Sequence, residues 1–73
     1  MAITQADLDN WFTYHAPHGD QPQRYVKIRD AAKMFAEVLV ENTLPSADQT
    51  VAVRKIREAV MVANQSIACE EGA

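Results

Sequence analysis

Between Pro22 and Ala68 the apolar residues recur at alternating spacings of three and four, interrupted at Asn42-Thr43-Leu44-Pro45. Such spacing lays one stripe along each of two helices. A connection this short returns the second helix antiparallel to the first, so an α-helical hairpin is the architecture the chain must accommodate. Tyr25, Ile28, Ala32, Phe35 and Leu39 mark the first helix, predicted over 22–42. Ser46 followed by Gln49 is a capping-box signature for the second, predicted over 47–68, with Val53, Ile56, Val60, Ala63 and Ile67 on its stripe and Ala52 and Ala59 beside it. A short helix over about 3–12 precedes them. Thr4 is its cap, Asp7 the acid of its first turn, and Ile3 and Leu8 stand in the staple positions. Ala16-Pro17-His18-Gly19-Asp20-Gln21-Pro22 reads as a loop, because two prolines and a glycine forbid helix continuation, and Pro22 suits a first helical position. The tail Glu70-Glu71-Gly72-Ala73 is expected to fray. The expectation is an all-α fold in a single domain, 1–73: a short N-terminal helix and a long antiparallel hairpin, assembled as a homo-oligomer.

Size motivates the assembly. At 73 residues, a lone core seldom supplies more than about 3 to 5 kcal/mol. Cys69 has no second cysteine to pair with, and His15 and His18 add no recognisable zinc spacing, so neither staple of very small domains is at hand. Copies of the same chain are the expected supplement. Advancing 100° per residue puts Val51, Met61 and Val62 away from the stripe of the second hairpin helix, among Arg54, Lys55 and Glu58. They read either as scattered exposed apolar residues or as a subunit interface.

Ten acidic against seven basic side chains give a net charge of −3. That balance disfavours a nonspecific binder of long nucleic acid. The apolar runs are far shorter than the roughly 20 residues of a membrane span. No secretion signal is visible at the start of the chain, and the cytoplasm is the expected location.

Three of the five aromatic residues, Trp11, Phe12 and Tyr14, fall beside the His-Ala-Pro-His loop. Trp11 and Phe12 are most simply packing residues. Tyr14 at the loop edge is either a plain surface residue or a stacking face for a planar ligand. Arg24, Lys27, Arg29 and Lys33 crowd the first half of the first hairpin helix, Arg29 and Lys33 on one flank of the stripe and Arg24 and Lys27 on the other. This cluster is either a solvated surface with weak ion pairs, such as Lys33 with Glu37, or a compact edge for a small phosphate-bearing ligand. His15 lacks a nucleophile with a visible partner, so catalysis is not supported. His18 reads as a loop residue and Cys69 as packing. Asn64 and Gln65 interrupt an apolar stretch, and a buried amide there needs partners, from another helix or from the edges of a ligand's bases.

Taken in order, Phe12-Thr13-Tyr14-His15 with its proline loop, Gln21-Pro22, Tyr25 with Ile28-Arg29, Leu44-Pro45-Ser46, Glu58-Ala59-Val60-Met61, Ala63-Asn64 and Ile67-Ala68 closely resemble a phage-encoded domain. That domain is the helical hairpin shared by anti-CBASS and anti-Thoeris nucleotide sponges. The likeness runs from about Trp11 to Ala68. Its specificity lies in the ordered combination, and the chain resembles the anti-CBASS type, without the β-rich region of the anti-Thoeris branch.

The resemblance implies a homo-oligomer, typically a hexamer, in the bacterial host cytoplasm during infection. It implies sequestration, without cleavage and without a cofactor, of cyclic dinucleotides such as cGAMP, of cyclic trinucleotides or of cyclic ADP-ribose isomers, which blocks CBASS or Thoeris effectors. The family's tyrosine and early basic residue match Tyr14 and Arg29, the latter where lysine is frequent. On this reading Tyr14 stacks on a base and Arg29 pairs with a phosphate, while His15, Arg24 and Lys33 supply rim contacts. A separate trinucleotide site in some relatives uses an arginine where this chain has Gln65, leaving Asn64, Arg57 or another subunit's Arg54 as substitutes. The alternative is a structural or protein-binding hairpin that uses the Val51, Met61 and Val62 face and has no nucleotide site. Hydrolysis by His15 on a metal lacks ligands at sensible spacing.

Overall fold

A computed structural model describes residues 2–71 and contains α1 (Gln5–Trp11), α2 (Gln21–Glu41) and α3 (Ala47–Glu70), with no strand among the described residues. α2 and α3 form the hairpin, and α1 rests on α3. The spans differ from expectation by one or two residues at most of their ends.

The helix starts follow the local chemistry. The Asp7 amide donates to Thr4 Oγ1 at 3.1 Å and the Thr4 amide donates to Asp7 Oδ2 at 2.9 Å, a reciprocal capping box. Gly19 adopts φ +58°, the left-handed conformation that turns the loop into α2. At α3 only half of the expected box forms. Ser46 Oγ accepts from the Gln49 amide at 3.1 Å, but the Gln49 side chain donates to Thr43 Oγ1 at 3.0 Å and to Thr43 O at 3.3 Å. A glutamine amide has two donors to place, and carbonyls left open at the end of α2 lie within its reach. The result ties the turn shut.

The expected fraying at Glu70-Glu71 is corrected: α3 continues through Glu70, and Glu71 is engaged by side chains of α2. The other two residues of that tail, 72 and 73, lie outside the described residues.

Two helices and a short third can hide little. Among the described residues Ile67 is the one buried apolar side chain, at 6% exposure, while Phe35, on the stripe expected to face α3, is 59% exposed. The molecule measures 44 × 31 × 17 Å with a radius of gyration of 15.5 Å, against about 11 Å for a compact domain of this length. Its accessible surface is 5947 Å², where a compact monomer of equal mass exposes about 4,500 Å². No helix among the described residues is long and apolar enough to cross a membrane.

Candidate functional site

The aromatic loop is tied down at both of its ends by the C-terminus of α3. A helix leaves its last four carbonyls without intrahelical partners, here those of residues 67 to 70. Two side-chain amides from distant parts of the chain engage this end. Asn10 Nδ2 donates to Cys69 O at 2.9 Å, and Gln21 Nε2 donates to Ile67 O at 3.3 Å. Gln21 is 3% exposed, and its Oε1 accepts from the His18 amide at 3.1 Å. His15 Nε2 donates to Asn10 O at 2.6 Å, and the Thr13 hydroxyl donates to Asp9 O. The loop between α1 and α2 is therefore held on a shelf at one end of the hairpin, with Tyr14 standing out from it at 83% exposure.

Beside this shelf Arg24 donates to both carboxylate oxygens of Glu71, at 2.7 and 2.6 Å, and its Nε lies 3.2 Å from Asp20 Oδ1. The paired hydrogen bonds from Arg24, then the one from Gln21 at 3.1 Å, hold the Glu71 carboxyl down to about 2, and the same contact raises the Arg24 guanidinium above its ordinary value. A carboxyl depressed on folding stabilises the folded state where it is ionised in both states, above its ordinary value of 4.5. That contribution fades as the pH falls toward the folded value. Glu71→Gln is thus expected to lower the melting temperature by a constant amount from about pH 5 to 8, and by progressively less between about pH 4.5 and 2, followed by circular dichroism. Both side chains are about a third exposed, so solvent screening keeps the effect small.

The second feature lies along the hairpin. Arg29 and Lys33 of α2 and Arg57 of α3 surround a cavity of about 340 Å³ whose apolar floor includes Val53, Val60 and Met61. A hollow lined by Gln49, Thr50 and Arg54 shares Val53 and Arg57 with it and prolongs the groove. No acidic side chain lines either part, while a further hollow that shares Lys33, Ala36 and Val53 with the cavity carries Glu37 and Glu41. The ion pairs among the described residues are Arg24 with Asp20, Arg24 with Glu71, and Lys55 with Glu58, so the Lys33–Glu37 pair suggested by the helical spacing does not form. Four cations consequently line one groove with their charge uncompensated by ion pairs. A second, almost wholly apolar groove of about 610 Å³ shares Ala32, Ile56 and Val60 with the basic one and is lined further by Ile28, Ala31, Phe35, Leu39, Ala52 and Ala59, among others.

Of the residues singled out from sequence, Arg29 and Lys33 come together in the basic groove. Tyr14 does not line it. Arg29 lies eight residues beyond Gln21, about 12 Å along the helix, while the loop carrying Tyr14 is tied at the Gln21 end. His15 is half-buried and spends its Nε2 on Asn10. Arg24 is held by Glu71 and Asp20, which removes the second basic edge expected on α2. Asn64 is half-buried with an Oδ1 that has no partner among the described residues, and Gln65 donates to Cys69 Sγ at 2.9 Å. Met61, expected on a subunit interface, lines the basic groove and stays exposed at 60%, as do Val51 at 47% and Val62 at 69%. The sequence reading missed the loop anchors Asn10, Gln21 and Glu71. Nothing local marks them, because their partners lie 46 to 59 residues away.

No group of three or more His, Cys, Asp or Glu side chains able to hold a metal occurs among the described residues. Comparison with the curated proteins and with the solved structures returns no match. The sequence model of the Acb2/Tad1 hairpin domain matches residues 4–68, nearly the whole chain and all three helices up to the last residues of α3. The chain therefore belongs to the Acb2/Tad1 hairpin-domain family, the anti-CBASS and anti-Thoeris sponge family that its ordered motifs resemble.

Proposed function

We propose that this chain binds and sequesters cyclic oligonucleotide immune signals, cyclic dinucleotides foremost, without cleaving them, as a homo-oligomer acting in the cytoplasm of an infected bacterium. Family membership supports sequestration as the activity. The observation that carries the reading on this chain is the unpaired Arg29–Lys33 groove in a protein of net negative charge. A cyclic dinucleotide offers two phosphates and two flat bases, and the groove offers cations over an apolar floor. The missing stacking surface is Tyr14, exposed and held apart on its shelf. One subunit's Tyr14 and its neighbour's Arg29 and Lys33 complete the pocket, with Asn64 as a further polar contact at the margin and His15 and Arg24 keeping the shelf in place.

Assembly is supported by surface area. The excess over a compact monomer is about 1,400 Å², in the range each subunit contributes to an obligate interface. The Phe35–Leu39 groove is the apolar face that a second copy covers. Phe35→Glu is expected to convert the oligomer to monomers in native mass spectrometry and to abolish the dependence of melting temperature on protein concentration. A wild type that is monomeric at micromolar concentration contradicts the proposed assembly.

The direct test is a thermal-shift panel of cyclic di- and trinucleotides and cyclic ADP-ribose isomers. Bound ligand is then recovered by denaturing the complex. A ligand-induced rise in melting temperature with the ligand returned intact is the expected result. A cleaved product contradicts sequestration. No shift with any cyclic nucleotide favours a protein-binding hairpin instead.

A further inference from the structure

We infer that Arg57, on α3, is a phosphate-binding residue of the same groove as Arg29 and Lys33, so that one anion is gripped from both helices of the hairpin. The inference rests on the proposed nucleotide reading for the identity of the natural ligand, and on the geometry alone for the anion site.

Three observations carry it. Arg57 lines the cavity of about 340 Å³ together with Arg29 and Lys33, on the opposite wall. It has no ion pair among the described residues, and no carboxylate lines the cavity to compete for it. The rest of the lining is apolar, Val53, Val60 and Met61 among it, and such a lining weakens the competing hydration of the charges beside it. Like charges brought to one site repel each other, and a bound dianion relieves that repulsion. A guanidinium adds what the Lys33 ammonium lacks, a planar fork matched to two oxygens of one phosphate. Arg54, one helical turn before Arg57 on α3, extends the positive field along the adjoining hollow.

The probe is inorganic pyrophosphate, followed by the arginine Nε–H resonances of the full-length protein, alongside calorimetric titration with a cyclic dinucleotide. The expected result is that pyrophosphate shifts the Arg29 and Arg57 signals together. Arg57→Gln is expected to weaken both ligands about ten- to a hundredfold, the range for losing a charge-assisted hydrogen bond. Arg57→Lys retains part of the affinity, and Lys27→Gln, a change of equal charge outside the groove, leaves it unaltered. Unchanged affinity of Arg57→Gln beside a clear loss in Arg29→Ala overturns the inference and leaves the proposed function standing. Pyrophosphate binding that depends on Arg57, with no cyclic dinucleotide bound, upholds the anion site and overturns the nucleotide reading. Binding of neither ligand overturns both.

Discussion

Gln21→Ala is expected to lower the melting temperature by about 10 °C, the largest effect of any single polar substitution in the chain. The side chain is buried, and both ends of its amide are in use: the nitrogen donates to Ile67 O and Glu71 Oε1, and the oxygen accepts from the His18 amide. Truncation strands a carbonyl at the end of α3 and an amide in the loop, and an unsatisfied buried group costs about 1 to 3 kcal/mol. A loss of about 2 kcal/mol corresponds to a drop of that size in a domain of this length. The fluorescence of Trp11, the chain's one tryptophan, is expected to shift to longer wavelength as the loop and α1 loosen from α3. Melting has to be compared at equal protomer concentration if the protein assembles. A drop below about 2 °C with unchanged Trp11 emission contradicts the anchoring role.

Tyr14→Ala and Arg29→Ala are each expected to weaken cyclic dinucleotide binding about ten- to a hundredfold while leaving helicity and melting temperature close to wild type. Stacking on an aromatic ring is worth about 1 to 3 kcal/mol per base, and a charge-assisted bond to phosphate about 1.5 to 3 kcal/mol. Neither substitution removes a packing contact of consequence. Tyr14 is 83% exposed, and Arg29 holds no ion pair among the described residues. Tyr14→Phe keeps the ring and is expected to retain most of the affinity, whereas Arg29→Lys keeps the charge but not the fork and loses part of it. Because the two groups lie apart in one chain, mixing the two single variants is informative. An oligomer of both contains some pockets with neither defect, so the mixture is expected to recover part of the binding capacity. No recovery in the mixture argues that Tyr14 and Arg29 act within one subunit or not at all.

The hairpin was legible because its cause is local and periodic. The stripes through Ile28, Ala32 and Leu39 and through Val53, Ile56 and Val60, the Thr4 and Ser46 caps and the break at Leu44-Pro45 all act within a few residues of themselves. The same local logic went astray at the chain's far end. Glu70 and Glu71 stand next to Gly72, a poor helix former, and look free to fray, yet Glu71 is drawn in by Arg24 and Gln21 from the beginning of α2. Phe35 shows the opposite error. Its spacing assigns it to the stripe, but α3 is too narrow to cover the whole of that face, and more than half of the residue stays exposed.

The candidate site divides in the same way. Helical geometry alone placed Arg29 and Lys33 on one flank, four residues apart, since a turn of helix brings such positions together whatever surrounds them. Helical geometry does not reveal that Arg57 of α3 lines the same cavity, nor that Arg24 is already held by Asp20, just before α2, and by Glu71, just after α3. The amino-acid order by itself determined the two amphipathic helices, their antiparallel return and the family to which the chain belongs. Only the tertiary structure decided which cations remain unpaired, which amides close the end of α3 and where the aromatic loop rests. The physical reason is range: periodicity and capping operate over one or two turns, whereas pairing depends on groups up to 59 residues apart that meet only after the hairpin has closed.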